Sequence, residues 1–174
     1  MWFLWLICCA FSAVVIELLA GGYGLVLPVF LVTSFYFTVV RGWREPLPVL
    51  MVMGTILDLA VGRGVPAMLL LLLPVQALGQ YWRKFGDCRS AGAQALPGLA
   101  MGLVIGTGLV LVLRLPGSGW GLGLLSDTIR VTTQAVVGSA LLLPLECKVL
   151  DRAAKAMALS QYRKVRQGGG SDWA

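Results

Sequence analysis

Six apolar stretches alternate along the chain with short polar or glycine-rich segments. They cover about residues 2–20, 24–40, 47–61, 64–82, 95–115 and 129–150. Most of them approach the roughly 20 residues that a helix needs to cross a bilayer, although the third is short. The pattern predicts one six-helix transmembrane domain over residues 1–150. A basic cytoplasmic tail over 151–174 is expected to continue the last helix.

The composition supports a membrane protein. Hydrophobic residues make up 58% of the chain and charged residues 13%, and the mean hydropathy is +0.85. Soluble domains are about 45–50% apolar and about 25% charged, so a soluble globular domain is excluded. The net charge of +6 does not indicate nucleic-acid binding, because the basic residues lie in short loops and in the tail.

The positions of the basic residues predict the orientation. With a cytoplasmic N-terminus, eleven of the 14 lysines and arginines fall on the cytoplasmic side, and Arg63, Arg114 and Arg130 fall outside. Cytoplasmic loops are enriched in lysine and arginine. Both termini are therefore predicted to be cytoplasmic.

An aspartate interrupts the third apolar stretch. Asp58 lies in MGTILDLAVGRG (53–64), and Arg63 follows five residues later. A charge within a bilayer is costly unless it has a partner. Arg63 and the free amides at the start of the fourth helix, near Pro66, are candidate partners. We predict that Asp58 fastens the turn between the third and fourth helices, and a contact with another protein is the open alternative.

Glu17 raises the same question in the first helix. The orientation places it near the outer end, together with Asp58 and Asp127. Three outer carboxylates face three outer arginines, so pairing within the bundle is expected. Transport of a proton or cation is disfavoured, because no relay of ionisable groups is evident deeper in the membrane.

A strip of small residues runs along the fifth helix. Gly98, Gly102 and Gly106 recur every four residues and therefore share one helix face. Such strips let a second helix approach closely in a membrane. Packing inside the bundle and docking of a foreign helix both remain open.

Catalytic chemistry is poorly represented. The chain has no histidine and four cysteines without a CxxC pair, so a zinc site is not expected. No nucleophile has a plausible general base nearby. We predict a protein that is not an enzyme and has no cofactor or metal.

The segment around Asp58 resembles the signature of the MreD family, the rod-shape-determining membrane proteins of bacteria. Gly54 lies four positions before Asp58, and an apolar helix follows. Pro28, which opens an apolar stretch, and the basic YRKVRQ (162–167) after the last stretch fit the same family. The chain departs from the family at Pro66, where a glycine is usual.

The resemblance implies a six-transmembrane-helix bundle of the bacterial inner membrane, similar to the S-components of energy-coupling-factor transporters. It also implies a non-enzymatic scaffold of the cell-wall elongation machinery. The expected partners are membrane lipids, MreC by direct contact, a RodA-type glycosyltransferase, a penicillin-binding transpeptidase and, indirectly, MreB filaments. The glycine strip and the turn after Asp58 are the expected contact surfaces. The alternative is a substrate-binding subunit of a vitamin transporter, which requires a polar outer pocket.

Overall fold

The computed structural model describes residues 2–63, 65–86, 91–114, 122–159 and 162. This part of the chain is all-helical, and its six helices are α1 (Trp2–Gly22), α2 (Val29–Arg41), α3 (Leu47–Ala60), α4 (Ala67–Phe85), α5 (Ala91–Arg114) and α6 (Leu122–Ala156). Each helix overlaps one predicted apolar stretch. The side chain of Arg114 and the basic residues of the tail after Tyr162 lie outside the described residues.

The last helix differs most from its predicted bounds. It begins at Leu122, seven residues before the predicted start at 129, and ends at Ala156, six residues after the predicted end at 150. Hydropathy marks the apolar part of a helix, whereas the helix itself ends where its backbone hydrogen bonds end. Residues beyond the predicted stretch, polar ones such as Asp127 and Arg152 among them, therefore belong to α6.

Three helical segments are long and apolar enough to cross a membrane: Trp2–Gly22, Gly92–Val112 and Ser126–Ala156. The apolar helices α2 and α3 contain 13 and 14 residues. At 1.5 Å per residue, helices of this length extend about 20 Å, which is less than the roughly 30 Å of a hydrocarbon core.

The short helix α2 is the centre of the bundle. It packs against α1, α4 and α6, and every residue from Val29 to Val40 is buried. A helix that is apolar all round needs neighbours on all sides, and α2 has them. The helix α3 lies at the edge, where it contacts α1 and α4.

The glycine strip of α5 is covered by α6. A Cβ atom added at Gly98 would lie 2.7 Å from the carbonyl oxygen of Ser139, and one added at Gly106 would lie 2.6 Å from the Cα of Thr132. At Gly102 the added atom would overlap the backbone of Val136. The strip therefore serves packing inside the bundle. In this bundle α6 already occupies the face on which a foreign helix would dock.

The last helix continues into the predicted tail as far as Ala156, and the described residues that follow it turn back. Ala158 has a positive φ of 55°, and the Leu159 N–H donates to the Ala154 carbonyl at 2.8 Å. Farther along, the Tyr162 N–H donates to Asp151 Oδ1 at 2.7 Å. The Tyr36 hydroxyl donates to the same oxygen at 2.8 Å. The start of the predicted tail is thus packed against α2 and α6.

Candidate functional site at the carboxylate end of the bundle

Two acidic side chains lie at one end of the bundle, where α1 and α3 end and α2 and α4 begin. We call this region, defined by Glu17, Asp58 and Arg63, the carboxylate end. It contains most of the residues that the sequence analysis singled out.

Asp58 uses both carboxylate oxygens. Its Oδ1 pairs with Arg63 Nη1 at 3.1 Å, and its side chain is only 5% exposed. Its Oδ2 accepts the Met68 N–H at 2.8 Å. Met68 is the second residue of α4, where a backbone N–H has no partner within its own helix. Both candidate partners from the sequence, the arginine and a free amide of the fourth helix, are therefore engaged at once.

Glu17 caps α2 in the same way. Its Oε2 accepts the N–H of Phe30 at 2.9 Å, and Phe30 is the second residue of α2. The sequence predicted that Glu17 pairs with an outer arginine. Among the described residues, the ion pair at this end joins Asp58 to Arg63. Glu17 instead holds a backbone amide, because the start of α2 comes closer to it than any described arginine.

The two preceding helices end with the same backbone motif. Gly24 and Gly62 have positive φ angles of 73° and 71°. The residue after each glycine donates its N–H five residues back, from Leu25 to the Ala20 carbonyl and from Arg63 to the Asp58 carbonyl. This is the Schellman pattern, in which glycine adopts the left-handed conformation without a steric penalty.

A proline then starts each following helix. Pro28 has φ −82° and ψ 57°, and Pro66 has φ −73° and ψ 68°. Both values are close to the inverse γ-turn. The N–H of Val29 donates to the Leu27 carbonyl across one proline, at 2.9 Å, and Ala67 makes the equivalent bond across the other. The described residues of the α1–α2 and α3–α4 connections thus share the same glycine conformation and the same backbone hydrogen bonds.

This duplication has a signal in the sequence that the apolar pattern alone did not reveal. Glycine and proline are separated by three residues in GLVLP (24–28) and again in GRGVP (62–66), and each motif follows an apolar stretch. The carboxylates precede their glycines by seven and four residues. That unequal spacing hides the similarity of their roles.

Gly54 brings the two connections together. A Cβ added there would lie 3.3 Å from Cε1 of Phe30 and 3.6 Å from Cβ of Met68. These are the two residues whose amides Glu17 and Asp58 accept. Because residues four apart share a helix face, Gly54 makes room for this contact one turn before Asp58.

A cavity of about 400 Å³ opens at the carboxylate end. Glu17 and Arg63 are its charged lining residues, and the rest of its wall is mostly apolar, including Leu57, Met68 and Ile105. Its glycine-rich rim includes Gly21. This volume lies within the range of about 300–1,000 Å³ that is typical of small-molecule sites.

A further carboxylate, Glu146, was missed by the sequence analysis. The Thr33 hydroxyl donates to its Oε2 at 3.1 Å, while its Oε1 is buried without a hydrogen-bond partner among the described residues. An ionisable residue in an apolar helix is a useful signal in itself, and Glu146 lies in the last apolar stretch.

Comparisons of the chain with protein families, with curated proteins and with solved structures found no match. The class of protein follows from the structure: the described part of the chain is all-helical, and three of its helices are long and apolar enough to cross a membrane. These features suggest a membrane protein with a charged junction and a cavity at one end.

Proposed function

We propose that the chain is a non-enzymatic, MreD-type scaffold of the bacterial inner membrane. In this role it crosses the membrane six times with both termini in the cytoplasm, and its carboxylate end faces outward. It binds MreC directly and thereby helps to organise the RodA-type glycosyltransferase and the penicillin-binding transpeptidase.

The contacts made by the MreD-like segment support this proposal. Gly54 contacts both capped residues, and Asp58 has both oxygens engaged within the chain. The segment thus joins helix ends, and the Asp58 side chain is buried in these contacts. A junction of this kind favours a fixed surface for a partner protein, and the turn from Val61 to Pro66 is the surface that we propose for MreC.

Affinity purification from membranes tests the partner. The tagged chain, expressed in its own host, is expected to retain MreC after gentle solubilisation in a non-ionic detergent. A variant with two residues inserted in the turn after Asp58 serves as the comparison, and it should lose MreC while it still inserts into the membrane. Recovery of the chain without MreC would contradict the proposal, as would rod-shaped cells after its depletion.

The proposed topology has a separate test. Reporter tags at the two termini should be accessible only from the cytoplasm, as the distribution of lysine and arginine indicates. Tags found on opposite sides of the membrane would mean that the chain crosses it an odd number of times. The proposed six crossings, on which the outward orientation of the carboxylate end depends, would then be wrong.

The cavity favours a second candidate, a substrate-binding subunit similar to the S-components of energy-coupling-factor transporters. Such a subunit needs a pocket with a few polar groups among apolar walls, and Glu17 and Arg63 line a cavity of this kind. In the same purification, this candidate predicts recovery of ATPase subunits in place of MreC.

A further inference from the structure

Two acidic side chains and one arginine lie at the cavity among the described residues. Arg63, the cation in its wall, is already paired with Asp58. Glu17 also lines the cavity, and among the described residues no lysine or arginine forms an ion pair with it. Glu17 is therefore the acidic side chain at the cavity that has no ion-pair partner among the described residues.

Glu17 also has hydrogen-bonding capacity left. Its Oε2 accepts the Phe30 N–H, and no hydrogen bond from the described residues reaches its Oε1. A carboxylate accepts several hydrogen bonds in total. The half-buried Glu17 side chain lines the cavity, so a ligand that enters the cavity lies beside it.

The rest of the cavity wall favours an apolar group in the ligand. It is formed mainly by aliphatic side chains from the ends of α1 and α3, the segment before Pro28, the start of α4 and the middle of α5. Burying an alkyl chain against this wall is favourable, because it removes apolar surface from water. The cavity thus combines a carboxyl group that can bind a cation with an apolar wall.

We propose that this cavity binds an organic ammonium ion with an apolar chain, with the ammonium group on Glu17. The ammonium group donates hydrogen bonds to Glu17, and the chain packs against the aliphatic wall. A free amine and the head-group amine of a lipid share this chemistry. The inference concerns the cavity and holds whether the chain acts as a scaffold or as a transporter subunit.

The test uses the full chain, purified in a non-ionic detergent, and three probes of equal chain length: hexylammonium, hexanoate and hexan-1-ol. Titration calorimetry is expected to show the tightest binding for hexylammonium. Charge-assisted hydrogen bonds are worth about 1.5–3 kcal/mol, so Glu17→Gln should weaken this binding by about 10- to 100-fold. Glutamine keeps an oxygen for the Phe30 amide, which preserves the fold.

A second variant does not depend on the charge of Glu17. Gly21 lines the cavity, and a Cβ added there would meet no atom within 4 Å, so Gly21→Phe should fill the space and abolish binding. Gly92→Phe is the matched control, because Gly92 also has open space around it but lies on α5 outside the lining. It should bind like the wild type.

Two outcomes would overturn the proposal: equal binding of hexanoate and hexylammonium, or hexylammonium binding that survives both Glu17→Gln and Gly21→Phe. Nanodiscs distinguish the two sources of the amine. If phosphatidylethanolamine weakens hexylammonium binding relative to phosphatidylcholine, the occupant is a lipid amine, and unchanged binding assigns the cavity to a free amine. Partner purification is a separate measurement, so failure here leaves the scaffold proposal standing.

Discussion

Asp58 Oδ2 accepts the Met68 N–H at 2.8 Å, and this single bond connects the end of α3 to the start of α4. The same carboxylate pairs with Arg63 through its other oxygen. Asp58 therefore satisfies an otherwise unpaired helix amide and neutralises its own charge within one buried junction. Its contribution to stability is open to direct measurement.

Replacing Asp58 with alanine is expected to destabilise the protein by about 1–3 kcal/mol, because the buried Met68 amide loses its acceptor. An asparagine side chain would keep an acceptor and lose the ion pair, so Asp58→Asn should fall between the wild type and the alanine variant. Thermal unfolding in detergent provides the measurement. Thr55→Ala is the control, since exposed Thr55 bonds only within its own helix. If Asp58→Ala unfolded at the wild-type temperature, the junction would not stabilise the fold.

Substitutions of Glu17 should also change the stability, but here the amide variant should be close to the wild type. Glu17→Gln should retain nearly all of the wild-type stability, since the amide oxygen accepts the Phe30 N–H and no described ion pair is lost. Glu17→Ala should lose about 1–3 kcal/mol. Equal unfolding temperatures for the alanine and glutamine variants would show that the cap on α2 is not important.

The glycine strip should tolerate almost no enlargement. Gly102→Ala places a methyl group against the backbone of Val136, and overpacking of this kind costs about 1–3 kcal/mol. The matched variant Gly92→Ala adds the same methyl group on the same helix where nothing lies within 4 Å. Thermal unfolding should give a lower unfolding temperature for Gly102→Ala than for Gly92→Ala. Equal unfolding temperatures would contradict the tight contact between α5 and α6.

The turn after α6 gives a fourth prediction. Asp151→Ala removes the acceptor shared by the Tyr36 hydroxyl and the Tyr162 N–H, and two lost hydrogen bonds amount to about 2 kcal/mol. The segment that ends at Tyr162 should then detach, and limited proteolysis should cut between Ala156 and Tyr162 faster than in the wild type. Asp151→Asn keeps an acceptor oxygen and is expected to resist cleavage. The same cleavage rate for all three proteins would mean that Asp151 does not hold this segment.

Much of the fold followed from the sequence. The apolar stretches gave the six helices, and Pro28 and Pro66 marked the starts of two of them. The contacts of Asp58 were also foreseeable, because Arg63 and the start of α4 are close to it in the sequence. Local patterns determine such features because a helix and a tight turn depend on neighbouring residues.

The tertiary structure decided the contacts between distant parts of the chain. The four-residue spacing of Gly98, Gly102 and Gly106 defined a smooth face on α5, but only the packed bundle placed α6 on it. Likewise, a carboxylate at position 17 needs a partner, and the partner depends on where α2 begins in space.

Two further contacts could not be predicted from the sequence, because they also join residues that are far apart along the chain. Tyr162 is packed against Tyr36, with the ring centroids 5.8 Å apart, and Thr33 contacts Glu146 across the bundle. By itself the sequence determined the helices, their apolar faces and the need to neutralise each buried charge. Only the tertiary structure decided which groups meet, because contacts between residues far apart in sequence depend on how the helices are arranged.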